Sequence, residues 1–497
     1  MTHSPTSNDQ MAAHVRTRLA EAQRLVGLGK RSEALAVLRG MLPLKAMGTF
    51  WGAVAQQLFQ LSDFAGAEKA ARNFQKACPG DDKAALGLSM ILADAGKLRE
   101  ALSFAQEALK LQPDDPVAHY CMGLILSRDN RIKSALKRFR RAVEIRPDYT
   151  DALEYIAYFS KDAPEQGDLQ TIDDALASNA HKGQAGEAAL WYARAAWLER
   201  GGNYDDAFSA YEEGARLMRA QRNLSITPME GYVNRLKSSF SESFFTANQK
   251  HVYPNKSPIF VVGVPRSGTT LVETAIAAHS KVSSAGETTL VNLATLSYGS
   301  FEPVNLAQIS AKLERGENPW MEMGLALKKS YADRVGRNRR VTEKNLGNHF
   351  LLGAIAIIAS KAPIIYCVRD PAATAWSSFK TRFRSGNEWS YDFDSIVRYQ
   401  ELYSELMKHW QETLPGNPIF EVRYEDLVSR PEEVIPAVLS HAGLKFEHRC
   451  LSPHEASLPV MTASMAEVRQ PIHTESISGW RRYEPQLIER HPVFKAA

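Results

Sequence analysis

Glycines at 263 and 268 enclose Val264, Pro265, Arg266 and Ser267, and Thr269 and Thr270 follow. The stretch VVGVPRSGTTL, residues 261–271, has an apolar run before this loop and helical spacing after it. Backbone N–H groups of such a loop, together with a helix N-terminus, converge on one point and suit an anion. A nucleotide triphosphatase loop reads G-x-x-x-x-G-K-[ST], with its lysine on the β- and γ-phosphates. Here Thr269 stands where that lysine would be, and an arginine lies inside the loop. A forked guanidinium without the lysine suits an oxyanion other than a magnesium-bound γ-phosphate. The hydroxyls of Ser267, Thr269 and Thr270 add donors.

A second group of residues lies in YCVRDPAATAWSSFKTRF, 366–383. Asp370 and Pro371 suit a helix start, because aspartate caps orphan N–H groups and proline fits the first turn. Arg369 then closes a strand just before that helix, and Ser377 follows two turns on. Lys380, Arg382 and Arg384 form a basic face. Trp376 and Trp389 suit either an acceptor or adenine pocket or ordinary core packing. His279 reads as structural, and His349, His454 and His473 have no partner visible in the sequence.

PRSGTT after a strand, and R-D-P with a serine eight residues beyond the arginine, resemble the two donor-binding signatures of the sulfotransferase family. The resemblance implies 3′-phosphoadenosine 5′-phosphosulfate as donor, with no metal. Pro265, Arg266, Ser267, Gly268, Thr269 and Thr270 would hold its 5′-phosphosulfate, and Arg369 and Ser377 its 3′-phosphate. On this resemblance the missing lysine is expected.

The likeness extends toward the tyrosylprotein sulfotransferases and the bacterial tetratricopeptide-sulfotransferase fusions. AHSKVSSAGETT resembles the segment that carries their catalytic glutamate and implies Glu287. VTEKN resembles the stretch that carries their catalytic lysine and implies Lys344. VRYEDLV implicates Tyr424, and SMAEVRQPIHTESISGW implicates Ser464 as a catalytic and donor-binding residue. Relatives often carry a basic residue before the final tryptophan. This chain has Gly479 before Trp480, so Arg481 or Arg482 would supply that charge. In-line sulfuryl transfer needs a base for the acceptor proton and cations on the transferring group, as phosphoryl transfer does. Glu287 suits the base, while Arg266, Lys344 and Ser464 suit the transferring group.

These residues require strands that end beside one another. NKSPIFVVGV, KAPIIYCVRDP and NPIFEVRYEDL read as short apolar strands, with helical spacing between them. Strands alternating with helices predict a parallel sheet with ligands beyond its carboxyl edge. FLLGAIAIIAS, 350–360, is stopped by Lys361 and Pro363 and reads as a buried helix, so no integral membrane segment is expected.

The N-terminal half repeats. Pro79, Pro113 and Pro147 are spaced 34 residues apart, each with an alanine twelve residues earlier: Ala67, Ala101 and Ala135. Ala55, Ser89 and Gly123 lie twenty-four residues before the same prolines. This register resembles the tetratricopeptide repeat, in which small residues let paired helices approach and proline ends the second helix. Further units show around Ala34 and at Ala195, Ala207 and Tyr211. Ala207 lies 72 residues after Ala135, which is four more than two periods, so the register is broken between them.

The expected fold class is α plus α/β: a tetratricopeptide α-solenoid followed by a P-loop-like three-layer α/β/α domain with a parallel sheet. The boundaries are 1–15 disordered, 16–225 solenoid, 226–255 linker and 256–497 catalytic domain. The +4 formal charge over 497 residues argues for no nucleic-acid partner, and four scattered cysteines fit a reducing, cytoplasmic setting. The resemblance implies a hydroxyl acceptor, which the tyrosine-sulfating relatives and the repeats point toward a peptide or protein tyrosine, while the fusion architecture serves a glycan or small molecule equally; the repeats suggest a protein partner. Two other classes use the same residues: a catalytically silent nucleotide-binding scaffold, and a kinase or triphosphatase that would need ATP and magnesium.

Overall fold

The computed structural model describes the chain apart from residues 1–6, 46, 62, 161–166, 179, 222–225, 296–297, 299–302, 338, 384–385, 457–463 and 496–497. It divides into two compact units, Met1–Arg146 and Pro147–Ala497.

The first unit is built of helical hairpins. Its helices are α1 (Ser7–Gly27), α2 (Arg31–Met41), α3 (Phe50–Gln60), α4 (Phe64–Ala77), α5 (Asp82–Asp94), α6 (Leu98–Leu111), α7 (Pro116–Arg128) and α8 (Ile132–Ile145). Pairs α3–α4, α5–α6 and α7–α8 pack together. Ala67, Ala101 and Ala135 on the second helix of each pair are fully buried. Gly123 on α7 is needed for the approach of α8, since a Cβ there would come within 2.5 Å of the Phe139 ring. Pro79, Pro113 and Pro147 each follow the end of α4, α6 and α8 by two residues, where chain without an N–H cannot extend the helix. Asp81 and Asp115 start the next helices by accepting from Ala84 N and Val117 N, both at 2.9 Å. The stretch 1–15, expected to be disordered, differs from Ser7 onward: α1 begins there because Val15 and Ala22 find a core to fill.

The second unit begins with α9 (Thr150–Phe159), α10 (Asp168–Ala177), α11 (Ala185–Arg200) and α12 (Tyr204–Ala220). The solenoid expected over 16–225 is thus shared between the two units, and α10 occupies the stretch where the repeat register breaks. The expected linker 226–255 is also helical, with α13 (Thr227–Ser239) and α14 (Glu242–Asn248). Val233 and Leu236 of α13, Phe240 just after it and Phe245 of α14 are all buried in the core, which a solvated linker would not allow.

Five parallel strands follow: β1 (Pro258–Gly263), β2 (Val282–Gly286), β3 (Arg340–Glu343), β4 (Ile364–Val368) and β5 (Ile419–Arg423), in the order β2-β3-β1-β4-β5. Ile259 and Val261 face a cluster with Val272, Ile276 and Leu439, while Phe260 and Val262 face the opposite cluster with Leu352, Ile355 and Trp410. This alternation gives helices on both faces of the sheet, the expected three layers. Residues 350–360 pass from a 3-10 turn, Leu346–Leu351, into a helix, Leu352–Ile358, whose every residue is buried. Among the described residues no helix is long and apolar enough to cross a membrane.

Candidate active site

Every strand of the sheet ends at the same edge, and each end delivers one expected residue. β1 runs into the loop 264–268, and Thr269 opens the next helix, α15 (Thr269–Ala277). Gly268 takes φ of 95°, and a Cβ there would stand 2.4 Å from the Tyr424 ring. Arg266 also takes a left-handed φ, 73°, which is costly for a side chain with a Cβ. α15 has no side-chain cap, so its first-turn N–H groups are directed at the loop's concave side. Ser267 Oγ is buried there without a hydrogen-bond partner among the described residues.

The Arg266 guanidinium lies across the loop mouth. Its Nε donates to Ser377 Oγ at 2.9 Å, Nη1 donates to Ser464 Oγ, and Nη2 pairs with the Glu467 carboxylate. Burial works against its charge, but the adjoining Glu467 outweighs this and holds its pKa above the ordinary value. Ala466 N, in the same C-terminal segment, donates 3.0 Å to the hydroxyl of Tyr158 on α9. Burial, and then the nearby Glu467 charge, pushes the Tyr158 phenol well up.

Arg369 follows β4. Its Nη1 donates to the Arg266 carbonyl at 2.9 Å, Nη2 donates to the Ser476 carbonyl, and its guanidinium stacks 4.5 Å from the Tyr424 ring centre. Burial, and then the charge of Arg266, lowers its pKa. Tyr424, at the end of β5, shares a hydrogen bond with Ser476 Oγ. Asp370 caps the helix Pro371–Phe379, accepting from Ala373 N at 2.7 Å, and that helix brings Ser377 to Arg266.

On the other side of β1, Lys344 Nζ donates to Glu287. The Lys344 side chain is 1% exposed and that of Glu287 34%. Lys344 N bonds to Gly286 O at 3.0 Å, and Asn345 Nδ2 to Thr288 O at 2.6 Å, so backbone and side chain bracket Glu287 from both sides. Beneath them Glu273 of α15 accepts from Ser284 of β2 at 2.6 Å and Thr342 of β3 at 3.2 Å. Burial raises the Glu273 pKa, and the Lys344 charge opposes the rise. Glu343 is fully buried and bonded by Tyr331 and by Asn348 at 3.2 Å; burial pushes it up to about 7 against those bonds.

Known proteins resemble this chain in both its halves. Residues 258–448 match the family model "Sulfotransferase family", and residues 55–116 match a tetratricopeptide repeat model. The C-terminal domain is a sulfotransferase-family domain. An uncharacterised protein of Aquifex aeolicus is 30% identical over 301 residues, which is 58% of this chain and 39% of that one. The chain therefore spans well under half the length of that relative. A putative protein-tyrosine sulfotransferase of Caenorhabditis briggsae is 26% identical over 231 residues, 45% of this chain and 80% of that protein. Protein-tyrosine sulfotransferase 2 of Gallus gallus is 23% identical over 288 residues, 51% of this chain and 71% of that protein. Among solved structures, the sulfotransferase domain of the Synechococcus PCC 7002 olefin synthase aligns at 24% identity over 46% of this chain and 89% of that one, with a TM-score of 0.35.

Within the sulfotransferase domain the structure joins Arg266, Gly268, Ser377, Ser464, Arg369 and Tyr424 in one contact network, with Glu287 and Lys344 as a pair at the neighbouring strand ends. Arg481 turns elsewhere, 4.8 Å over Trp480 and 3.5 Å from Glu484, and Arg482 lies over Tyr204. Trp376 and Trp389 are core residues: Trp376 packs on Phe208, Tyr211 and Tyr483, and Trp389 stacks 3.9 Å from Tyr399. The expected basic face pairs with helices of the preceding repeats, Lys380 with Glu199 at 3.1 Å, and Arg382 with Asp151 and Glu154. Arg384 lies outside the described residues. His279 is structural, bonded to Lys445 O at 2.9 Å, and His349 is wedged between Phe350 and Tyr403, where burial lowers its pKa to about 3.

Sequence reasoning missed Glu467, Ser476, Glu273 and Tyr158. Glu467 lies three residues after Ser464, a spacing that would have flagged it; nothing local marks Tyr158, which reaches the site only through the fold.

Proposed function

We propose that this chain transfers a sulfuryl group from 3′-phosphoadenosine 5′-phosphosulfate to a hydroxyl acceptor, and that the acceptor is a peptide or protein tyrosine. One observation carries the reading. Along a single sheet edge stand Glu287 after β2, Lys344 after β3, Arg266 after β1, Arg369 after β4 and Tyr424 after β5.

The donor supplies an activated sulfuryl group on a phosphate leaving group. The residues present suit it: the uncapped start of α15, the Ser267 hydroxyl, without a partner among the described residues, and the concave surface at Gly268 accept an anionic group, and Arg369 with Ser377 offers donors to a second phosphate. Glu287, a third exposed, is open to an acceptor hydroxyl and takes its proton. Lys344, held in place by backbone and by Glu287, keeps a cation beside the reacting oxygens, Arg266 adds a second, and the Ser464 hydroxyl offers a neutral hydrogen bond to the transferring group. The names of the Caenorhabditis briggsae and Gallus gallus relatives support a tyrosine acceptor, and helical repeats offer a surface for an extended chain. Four cysteines, three of them buried and none in a disulfide among the described residues, support a reducing, cytoplasmic setting.

The test is calorimetric binding of adenosine 3′,5′-bisphosphate against ADP, followed by incubation with the phosphosulfate donor and tyrosine peptides, glycans or simple phenols, with products read by mass. Selective binding and sulfated peptide are expected. Product only from a glycan or a phenol moves the acceptor. Equal affinity for the two nucleotides, with no product from any acceptor, overturns the reading in favour of a silent nucleotide-binding scaffold.

A further inference from the structure

We propose that Glu467 is a built-in competitor for the donor: its carboxylate holds the Arg266 guanidinium and must leave before a donor anion can take that place. The inference rests on the donor-binding reading above and concerns what sets the strength of that binding.

All three guanidinium nitrogens of Arg266 are engaged by protein groups. Two of those partners, the Ser377 and Ser464 hydroxyls, are neutral; only Glu467 carries charge. The two members of the ion pair differ sharply in solvation, with the Arg266 side chain 6% exposed and that of Glu467 56% exposed. A buried guanidinium needs an anion at all times, because an unpaired buried charge is costly. A half-exposed carboxylate returns to water at little cost. Exchange is therefore one-sided: the cation stays and the anion is replaceable.

The backbone enforces this asymmetry. Arg266 sits in a left-handed conformation with its carbonyl bonded by Arg369, so the loop does not follow Glu467 outward. Glu467, by contrast, belongs to a short turn whose neighbouring N–H, that of Ala466, is tied to Tyr158 on α9. That tie keeps the turn in place while the carboxylate rotates away. Ser464, one turn earlier, can stay on Arg266 as the anion changes.

Glu467→Gln keeps volume and an accepting oxygen and removes only the charge. Titration of the phosphosulfate donor, and separately of adenosine 3′,5′-bisphosphate, into the full chain should then give roughly three- to tenfold tighter binding than wild type, as expected for loss of one partly screened charge-assisted contact. Glu467→Ala should tighten it to a similar extent. The gain should vanish in an Arg266→Gln background, a coupling that general loosening of the turn would not produce. Unchanged or weaker donor binding in Glu467→Gln, with wild type binding normally, overturns the inference and leaves the donor reading intact. Failure of wild type and Glu467→Gln alike to bind either nucleotide overturns both, whereas binding by the variant alone supports the competition.

Discussion

Arg369 donates through Nη1 to the backbone carbonyl of Arg266 at 2.9 Å, so one arginine of the site holds the main chain of the other. The left-handed turn at Arg266 is thereby fixed by the residue that also stacks on Tyr424 and reaches the Ser476 carbonyl. A lysine has no fork to serve two carbonyls and a ring together. Arg369→Lys should therefore weaken adenosine 3′,5′-bisphosphate binding by at least about tenfold by calorimetry, in spite of the retained charge. Near-wild-type affinity would show that charge alone is what the position supplies.

Glu287→Ala should lower turnover by about 10²- to 10⁴-fold and leave donor affinity within a few fold, since a general base acts on the acceptor proton. A steady-state assay paired with donor calorimetry separates the two; turnover at the wild-type rate would remove Glu287 from the role.

Gly268→Ala meets two obstacles, a φ of 95° and a Tyr424 ring carbon 2.4 Å from the new Cβ. The strain should cost about 1–3 kcal/mol and displace either the loop or Tyr424. Thermal melting should register a lower midpoint, and nucleotide binding should fall with it. A variant that melts and binds as wild type does would mean that the close approach is not needed.

Glu343 provides a pH dependence of definite sign. Its buried carboxyl is raised from 4.5 to about 7, so across that interval the folded chain keeps a proton that the unfolded chain has released. Stability contributed by this group is full below 4.5 and declines as pH rises to about 7, by up to about 3 kcal/mol. The melting midpoint of wild type relative to Glu343→Gln should fall between pH 4.5 and 7 and level off above. A flat difference across that range would place the ionised carboxylate in the folded state throughout.

The second unit takes in α9–α12, and those helices are bound into it by Arg382 with Glu154, Lys380 with Glu199, Tyr192 with Phe379 O at 3.1 Å, and the Phe208–Tyr211–Trp376–Tyr483 aromatic cluster. A fragment of residues 147–497 should elute as a compact species with near-ultraviolet circular dichroism. A fragment of 256–497, cut at the boundary that the sequence suggests, would bare those rings and should aggregate. A well-behaved shorter fragment would make the repeat helices dispensable.

How far the sequence could be read follows from which residues carry their signal locally. β1, β4 and β5 were legible because each is a short apolar run entering a glycine, an arginine or a tyrosine. β2, VSSAG, and β3, RVTE, were not, since Ser284 and Thr342 are held there by hydrogen bonds to Glu273 and not by apolar patterning. The helical hairpins were legible from alanine and proline at fixed spacing. The boundary was not, because the repeat pattern in α11 and α12 continues beyond Arg146 whereas their contacts lie with the C-terminal domain. The site residues were found where a motif held them. Tyr158 was not, as its bond from Ala466 N joins two segments about three hundred residues apart.

With β1 in the middle, the Glu287–Lys344 pair stands on one flank of the loop and Arg369 with Tyr424 on the other. On the proposed assignment of donor to Arg369 and acceptor to Glu287, a gene that diversifies could alter the loops around β2 and β3 without touching the β4 and β5 ends, provided Glu287 and Lys344 themselves are kept.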